Sequence, residues 1–501
     1  MKRRGHGLGI RGQGIGLAAL LLACAVAAPA ASLAEKIDRV LATTKAFWGI
    51  QVVDLESGRT LYHWNADRFF VPASNTKLFT TAMALTRLGP DFTFQTRVIA
   101  EAAPDGNGRI AGSLRLLGGG DPNLSARAIP YHRGPITGNP LAAIEELADQ
   151  IAARGVKRID GDIIGDDSWY VWEPYAAGWG IEDPESDDGP PISALTINDN
   201  AFAVTVEPGA HEGDIAGLTL NPPLEPFRID NRVLTAAHGA ERRIRYSRLP
   251  GSRDLHLWGA ISQPATLVFA LDDPARYAAQ ALRAALESRG ITVSGQAVAH
   301  HEYPFEVADL TQRPSALTPA GVELARRVSA PFFEDLRITD KVSQNLHAEL
   351  ALRAVAKARR NIGSFEAGLE ELKTFLGDVG VAPEQYNIRD GSGLARLNLV
   401  TPTAVIALLK YMHRSPHATE WMSLLPVGGE DGTLATRFAG TPAAGRVHAK
   451  TGSLSHVSAL SGYIQRINGK WVAFSILVNN YNTPTADVRG AMDRICNLIV
   501  E

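Results

Sequence analysis

Residues 69–85 read FFVPASNTKLFTTAMAL, and this stretch decides the fold class of the chain. Its second half places apolar residues at helical spacing, and Pro72 suits the start of a helix. Ser74 and Lys77, three residues apart, therefore share one face of the first turn. A serine hydroxyl becomes a good nucleophile when a base takes its proton, and a buried lysine with a lowered pKa can be that base. The pattern is weak alone, because Ser-x-x-Lys arises by chance in most long chains.

Two downstream motifs offer the other groups that such chemistry needs. Ser343-Gln344-Asn345 presents a hydroxyl and an amide that point the same way from a turn. In the second motif, Lys450 supplies positive charge, Thr451 can hold a substrate carboxylate, and Gly452 lets the backbone approach closely. The order S-x-x-K, S-D-N, K-T-G is the signature of penicillin-binding enzymes, with Gln344 here replacing the central Asp. The three motifs in this order predict one shared active site.

With these motifs the sequence resembles the class C low-molecular-mass penicillin-binding proteins, the D-alanyl-D-alanine carboxypeptidase C family of carboxypeptidases and endopeptidases. The resemblance covers nearly the whole chain after its first residues. Further segments similar to the family are Gly118–Pro122, Asp166–Trp169, Asp390–Leu394 and Asp431–Leu434. The long separation of Ser74 from Ser343 is also similar, since the family has a large insertion there.

The resemblance implies an α/β fold. A serine transpeptidase/β-lactamase-like domain, with an antiparallel sheet and helices on both sides, would be split by a large α+β insertion. Strand patterns near both ends of the chain, with helical patterns between, agree with one divided domain. We expect the catalytic domain to comprise residues 35–95 and 308–501. Residues 96–307, where short strand-like runs alternate with turns, would form the insertion of one or two lobes.

The resemblance also implies the catalytic roles. Ser74 would attack the carbonyl of the penultimate D-Ala of a cell-wall peptide, and Lys77 would be the base for acylation. Ser343 would relay a proton to the leaving amine, while Lys450 would tune the local field. No metal or organic cofactor is implied.

Substrate binding is implied for a second set of residues. Asn345 would bind the substrate amide, and Thr451, Gly452 and Ser453 would line the site for the terminal carboxylate. The backbone N–H groups of Ser74 and Ser453 would form the oxyanion hole. β-Lactam antibiotics would act as covalent inhibitors of this site.

A side-chain pocket on the insertion is a further expectation from the resemblance. Asp167 would grip the free amine of diaminopimelate, with Trp172 as an aromatic wall and Arg396 nearby. The alternatives are that Asp167 is a turn residue before a strand and that Trp172 belongs to the core. His300-His301 lacks metal-ligand spacing and is expected at a solvated edge.

The first 34 residues predict export. Basic residues precede the apolar run Ile15–Ala27, and small residues follow, which describes a signal peptide over residues 1–34. Cys24 lies in a poor lipoprotein box, so we expect lipid anchoring less than simple export. The predicted location is the periplasm or cell envelope, with room for peripheral membrane association. The net charge of −3, without long charged blocks, does not suggest a nucleic-acid partner.

Two rival functions remain open at this point. A β-lactamase would need a base that activates water on the acyl-enzyme, and no Glu-x-x-x-Asn element of the class A type stands in a suitable place. A non-catalytic peptidoglycan-binding module would keep the fold and lose a catalytic side chain, yet Ser74, Lys77 and Lys450 are all present. Peptidoglycan peptides are the expected substrate.

Overall fold

The structure is a computed structural model that describes residues 31–134, 136–249, 251–304, 306–313 and 320–501. Residues 1–30, which hold most of the predicted signal peptide and Cys24, lie outside the described residues. Among the described residues, no helix combines the length and the apolar character needed to cross a bilayer.

A five-stranded antiparallel sheet forms the centre of the part that carries the three motifs. Its strands, in spatial order, are Val447–Leu454, Val457–Gln465, Trp471–Asn479, Phe47–Asp54 and Thr60–Trp64. Residues 457–464 are buried at every position. Successive side chains of a strand point to opposite faces, so this pattern requires cover on both faces of the sheet.

Helices supply that cover. One face packs against Leu33–Leu41 and the C-terminal helix Thr485–Val500, which contains the buried Cys496. The other face packs against the helices Thr76–Leu88, Phe332–Lys341, Asn345–Arg360, Phe365–Val379, Pro402–His413 and Ala418–Leu424. The predicted antiparallel sheet with helices on both sides is confirmed.

Local capping sets the bounds of the helix Phe365–Val379. The Ser364 hydroxyl accepts a hydrogen bond from the Ala367 N–H at 3.1 Å, which satisfies one free donor of the first turn. Gly380 ends the helix in the left-handed region at φ 84°, where a glycine has no Cβ penalty.

The region between the first and second motifs has its own sheets and its own core. A five-stranded sheet has the order Ala297–Glu302, Ile163–Val171, Leu114–Leu117, Gln95–Ala100 and Val322–Val328. The helices Ala142–Ala153 and Pro274–Glu287 pack on it. Three smaller sheets comprise Arg228–Thr235, Asp254–Ile261 and Arg243–Ser247; Ala265–Ala270, Ala201–Glu207 and Gly217–Asn221; and Thr292–Val293, Arg158–Ile159 and Arg109–Ile110.

One strand crosses the predicted division of the chain. Val322–Val328 falls in the segment expected to be catalytic, yet it pairs antiparallel with Gln95–Ala100. The two strands bring the chain into and out of the intervening region side by side. The boundaries 35–95, 96–307 and 308–501 stay a prediction, and this pairing is the observation that bears on them.

A further two-stranded antiparallel sheet pairs Tyr386–Asn387 with Leu399–Val400.

Candidate active site

The Ser74 side chain lies beside the amine of Lys77. Ser74 occupies a 3₁₀ turn, Ala73–Asn75, directly before the helix Thr76–Leu88. The Lys77 Nζ lies 2.9 Å from the Ser74 Oγ and 2.5 Å from the Asn345 Oδ1. It also donates to the Ser392 carbonyl at 2.7 Å. The first two motifs therefore meet at one amine.

Burial sets the charge state of Lys77. The side chain is 0% exposed. Removal from water disfavours the ammonium form, and the nearby charge of Lys450 adds to this effect, so the pKa of Lys77 falls well below its usual value. A neutral amine at 2.9 Å can accept the proton of the Ser74 hydroxyl.

Lys450 and Ser343 form the second hydroxyl–amine pair of the site. Ser343 lies in the turn between two helices with φ 64°, and its Oγ accepts from the Lys450 Nζ at 2.8 Å. Lys450 also donates to the Thr451 carbonyl at 3.0 Å. Burial lowers the pKa of Lys450 to about 8, although the Asp340 carboxylate opposes this shift. The third motif thus meets the second.

Buried carboxylates surround the two amines. Glu349 accepts hydrogen bonds from the N–H groups of Gly391 and Ser392 at 2.9 and 2.8 Å, which fixes the carbonyl that contacts Lys77. Burial and the charge of Asp390 raise the pKa of Glu349 to about 7. Asp340 accepts from the Thr81 hydroxyl at 3.0 Å, and burial raises its pKa to about 7.

The strand that carries Lys450 approaches the nucleophile turn too closely for a side chain at Gly452. A Cβ there would lie 2.7 Å from the Pro72 carbonyl oxygen and 3.1 Å from the Ser74 nitrogen. The Asn75 amide donates to the Lys450 carbonyl at 2.9 Å across the same gap. Gly452 is therefore required for the first and third motifs to lie side by side.

Residues of all three motifs line a cleft of about 490 Å³. Its floor and walls carry hydroxyl and amide groups from all three motifs. The lining includes Ser74, Asp188, Ser343, Asn345, Thr433, Arg437, Thr451, Gly452, Ser453 and Arg489. A cleft of this size with converging polar groups is typical of small-molecule and peptide sites.

Two hydroxyl side chains of the third motif line one wall of the cleft. The Thr451 Oγ1 donates to the Thr433 Oγ1 at 2.8 Å. The Ser453 Oγ accepts from the Arg489 guanidinium at 2.9 Å. This wall thus combines neutral hydroxyls with a positive charge, which suits an anionic group.

The intervening region reaches the site through two aspartates. The Asn345 amide donates to the main-chain carbonyl of Asp188 at 2.8 Å. Asp199 accepts from the Gln344 amide at 3.2 Å and lies 3.1 Å from the His347 Nε2. The second motif is therefore positioned by residues from outside its own helix.

The three residues expected in a side-chain pocket lie away from the lining of this cleft. Asp167 is 2% exposed, and its two oxygens contact the Ser193 hydroxyl at 2.8 Å and the His301 Nδ1 at 2.9 Å. Trp172 stacks on His301 with ring centroids 3.9 Å apart. Arg396 donates to the Ser455 carbonyl at 3.2 Å. The roles expected for these residues stay predictions.

His301 corrects one expectation from the sequence. We expected His300-His301 at a solvated edge. His300 is exposed on the edge strand Ala297–Glu302, but the His301 side chain is only 14% exposed and lies 3.7 Å from Asp273 as well as beside Asp167. Burial opposes protonation, yet the carboxylates of Asp167 and Asp273 outweigh it and raise the pKa of His301 to about 9. Its partners are far away in the sequence, so the dipeptide alone carried no sign of them.

Several residues of the site had no role assigned from the sequence. Ser392 and Thr433 lie in segments that resembled the family, so their positions carried a signal without a function. Asp188, Asp199 and Arg489 carried no signal, because their contacts depend on long-range packing.

A hydroxyl beside a buried amine of lowered pKa, in a cleft with a second amine–hydroxyl pair, is the arrangement of a serine hydrolase that works through an acyl-enzyme. Comparison with known proteins narrows this class. The chain belongs to the D-Ala-D-Ala carboxypeptidase 3 (S13) family, whose model matches residues 31–498. It is a serine-type D-Ala-D-Ala carboxypeptidase, as the resemblance implied.

Relatives match along most of their length. A D-alanyl-D-alanine carboxypeptidase of Actinomadura sp. (strain R39) is 36% identical over 480 residues, 92% of this chain and 84% of the relative. The carboxypeptidase DacB of Haemophilus influenzae is 27% identical over 442 residues, 87% of this chain and 86% of the relative. The crystal structure of penicillin binding protein 4 from Haemophilus influenzae is similar in fold, with a TM-score of 0.77 at 24% identity over 92% of this chain and 98% of that one.

Proposed function

We propose that the chain cleaves the bond after the penultimate D-Ala of peptidoglycan stem peptides and cross-links through an acyl-enzyme on Ser74. The observation that carries this proposal is the 2.9 Å contact between the buried Lys77 amine and the Ser74 hydroxyl. Both carboxypeptidase and endopeptidase cleavage break the same bond. They differ only in whether free D-Ala or a second peptide leaves.

Acylation would begin with proton transfer from Ser74 to Lys77. The Ser74 oxygen attacks the carbonyl carbon of the penultimate D-Ala, and the carbonyl oxygen gains negative charge. Collapse of this intermediate breaks the bond between carbon and nitrogen, and a proton passes to the leaving amine through Ser343. The 2.8 Å bond from Lys450 holds Ser343 and tunes its acidity.

Water would then hydrolyse the ester and release the shortened peptide. Its proton returns through the same amines and hydroxyls that served acylation. The backbone N–H groups of Ser74 and Ser453 are proposed for the oxyanion at both stages. The close approach at Gly452 supports this assignment, because it brings the Ser74 nitrogen next to the third motif.

Substrate binding is assigned to the walls of the cleft. Asn345 would bind the backbone amide of the peptide, and Thr451 and Ser453 would bind the carboxylate beyond the scissile bond. We also propose that β-lactams acylate Ser74. A structural relative, penicillin binding protein 4 of Haemophilus influenzae, is described in complex with a β-lactam, with a TM-score of 0.73 at 24% identity over 93% of this chain and 99% of that one.

The proposed location is the cell envelope, where peptidoglycan lies. Support comes from the signal-like residues 1–34 and from the substrate class of the family. Peripheral association with the membrane is compatible with this location. Lipid attachment at Cys24 is the less favoured alternative.

Digestion of purified cross-linked muropeptides tests the proposed function. We expect monomers from dimers, or free D-Ala from pentapeptides, and neither product with Ser74→Ala. Release of D-Ala alone would define a carboxypeptidase, and release of monomers would add endopeptidase activity. The absence of both products with the wild type would contradict the proposal.

A further inference from the structure

Arg489 brings an uncompensated positive charge to the substrate cleft. It lies in the first turns of the C-terminal helix Thr485–Val500, and its guanidinium lines the cleft. The Nη2 group donates to the Ser453 Oγ at 2.9 Å. This bond joins the last helix of the chain to the third motif.

The other charged side chains that line the cleft do not supply a free positive charge. The Arg437 Nε lies 3.1 Å from Asp493, so Arg437 is neutralised by a carboxylate on the same C-terminal helix. Within the described part of the chain, Arg489 has no carboxylate within ion-pair distance. Asp188 also lines the cleft, and its main-chain carbonyl contacts Asn345 on the side of the second motif.

The hydrogen bond from Arg489 determines what Ser453 can still do. A serine hydroxyl has one proton and two lone pairs, and one lone pair of Ser453 already accepts from Arg489. Its proton therefore remains free to donate to a ligand. On the same wall, Thr451 is paired with Thr433. An oxyanion beside Ser453 could accept from the Ser453 hydroxyl and from the guanidinium of Arg489.

We propose that Arg489 binds the carboxylate on the carbon next to the scissile amide nitrogen, together with Ser453. The inference rests on the proposed function, because that carboxylate belongs to the leaving D-amino acid. Neutral hydroxyls alone can donate hydrogen bonds to a carboxylate or to a carboxamide, and they discriminate little between the two. A guanidinium discriminates, because a charge-assisted bond is about twice as strong as a neutral one.

The test compares kcat/KM for two peptides in the wild type and in variants of Arg489 and Arg494. Peptides ending in D-Ala-D-Ala carry either the free carboxylate or a carboxamide in its place. For the free acid, Arg489→Gln is expected to lower kcat/KM about 10-fold, the size of one hydrogen bond to a charged group. For the carboxamide it is expected to leave kcat/KM unchanged. Arg489→Lys should recover part of the loss, since it keeps the charge without the fork.

Arg494→Gln is the matched control. Arg494 is exposed on the same helix and contacts Thr43 at 3.4 Å, away from the cleft. It should leave both peptides unaffected. Equal slowing of both peptides by Arg489→Gln, or no slowing of the free acid, would overturn the inference alone. A wild type that cleaves neither peptide would contradict the proposed function and the inference with it.

Discussion

The Oδ1 of Asp199, from the region between the motifs, lies 3.1 Å from the Nε2 of the fully buried His347. The other ring nitrogen of His347 lies 2.8 Å from Asp335. His347 stands two residues after Asn345, so this pair fixes the start of the helix that carries the second motif. Burial opposes a charged imidazole, but the two carboxylates outweigh it and raise the pKa of His347 to about 9.

This pair predicts a pH-dependent contribution to folding stability. The folded pKa of His347 lies above its unfolded value of about 6.5, so the contribution is complete below pH 6.5 and is lost as the pH rises through about 9. We expect the free energy of unfolding of the wild type to exceed that of His347→Gln by about 3 kcal/mol at pH 6. This difference should shrink towards pH 10. Urea unfolding of both proteins across this range measures it. A difference that stays constant with pH would contradict a charged His347.

Asp199 should position the active site without touching the substrate. Asp199→Asn removes the charge that pairs with His347 and Arg127, which frees Ser343 and Asn345 to shift. We expect acylation to slow about 10-fold or more, because misplacement by about 1 Å can cost 10²-fold. The adduct should stay on Ser74. Asp160→Asn, which removes the carboxylate paired with the exposed Arg109 and Arg158 in the same region, is the control and should leave acylation unchanged.

Lys77 should be indispensable as the base. Lys77→Ala should lower the acylation rate by at least ~10²-fold, the low end of general-base effects. Lys77→Arg should restore little, because a guanidinium stays protonated at the pH of the assay. Stopped-flow measurement of acylation by a chromogenic β-lactam gives these rates. Near-wild-type rates in either variant would refute the role of the amine.

Asp167 separates amine recognition from a structural role. Both of its oxygens have protein partners, so we expect Asp167→Asn to lower stability by about 1 to 3 kcal/mol. The expected amine pocket further predicts that Asp167→Asn slows cleavage of peptides with a free diaminopimelyl amine about 10- to 100-fold and leaves acylation by simple penicillins nearly unchanged. Equal slowing of both substrates would instead show that Asp167 is structural.

Features set by local sequence could be predicted. Ser74 and Lys77 meet because three residues span one helical turn, and this geometry needs no tertiary information. The helix Pro402–His413 begins where the sequence places a cap, since the Thr401 hydroxyl accepts from the Ala404 N–H at 3.0 Å. The strand Trp471–Asn479 is likewise set by its own apolar, β-branched composition.

Features set by distant packing could not be predicted. The segment Leu454–Tyr463 reads as one alternating run, but a turn at Ser455 and His456 divides it between two strands. The strand Val447–Leu454 is hard to recognise in the sequence, because it contains Lys450 and Gly452 and neither residue favours a strand. The contact of Lys77 with the Ser392 carbonyl depends on the fold bringing together residues far apart in sequence.

The role of Ser74 as the nucleophile is tested by the mass of the intact protein after incubation with a labelled penicillin, followed by peptide mapping. We expect one acyl adduct per chain, located on Ser74, and complete loss of labelling in Ser74→Ala. An adduct mapped to another residue, or no adduct on a folded wild-type protein, would contradict the assignment of Ser74 as the nucleophile.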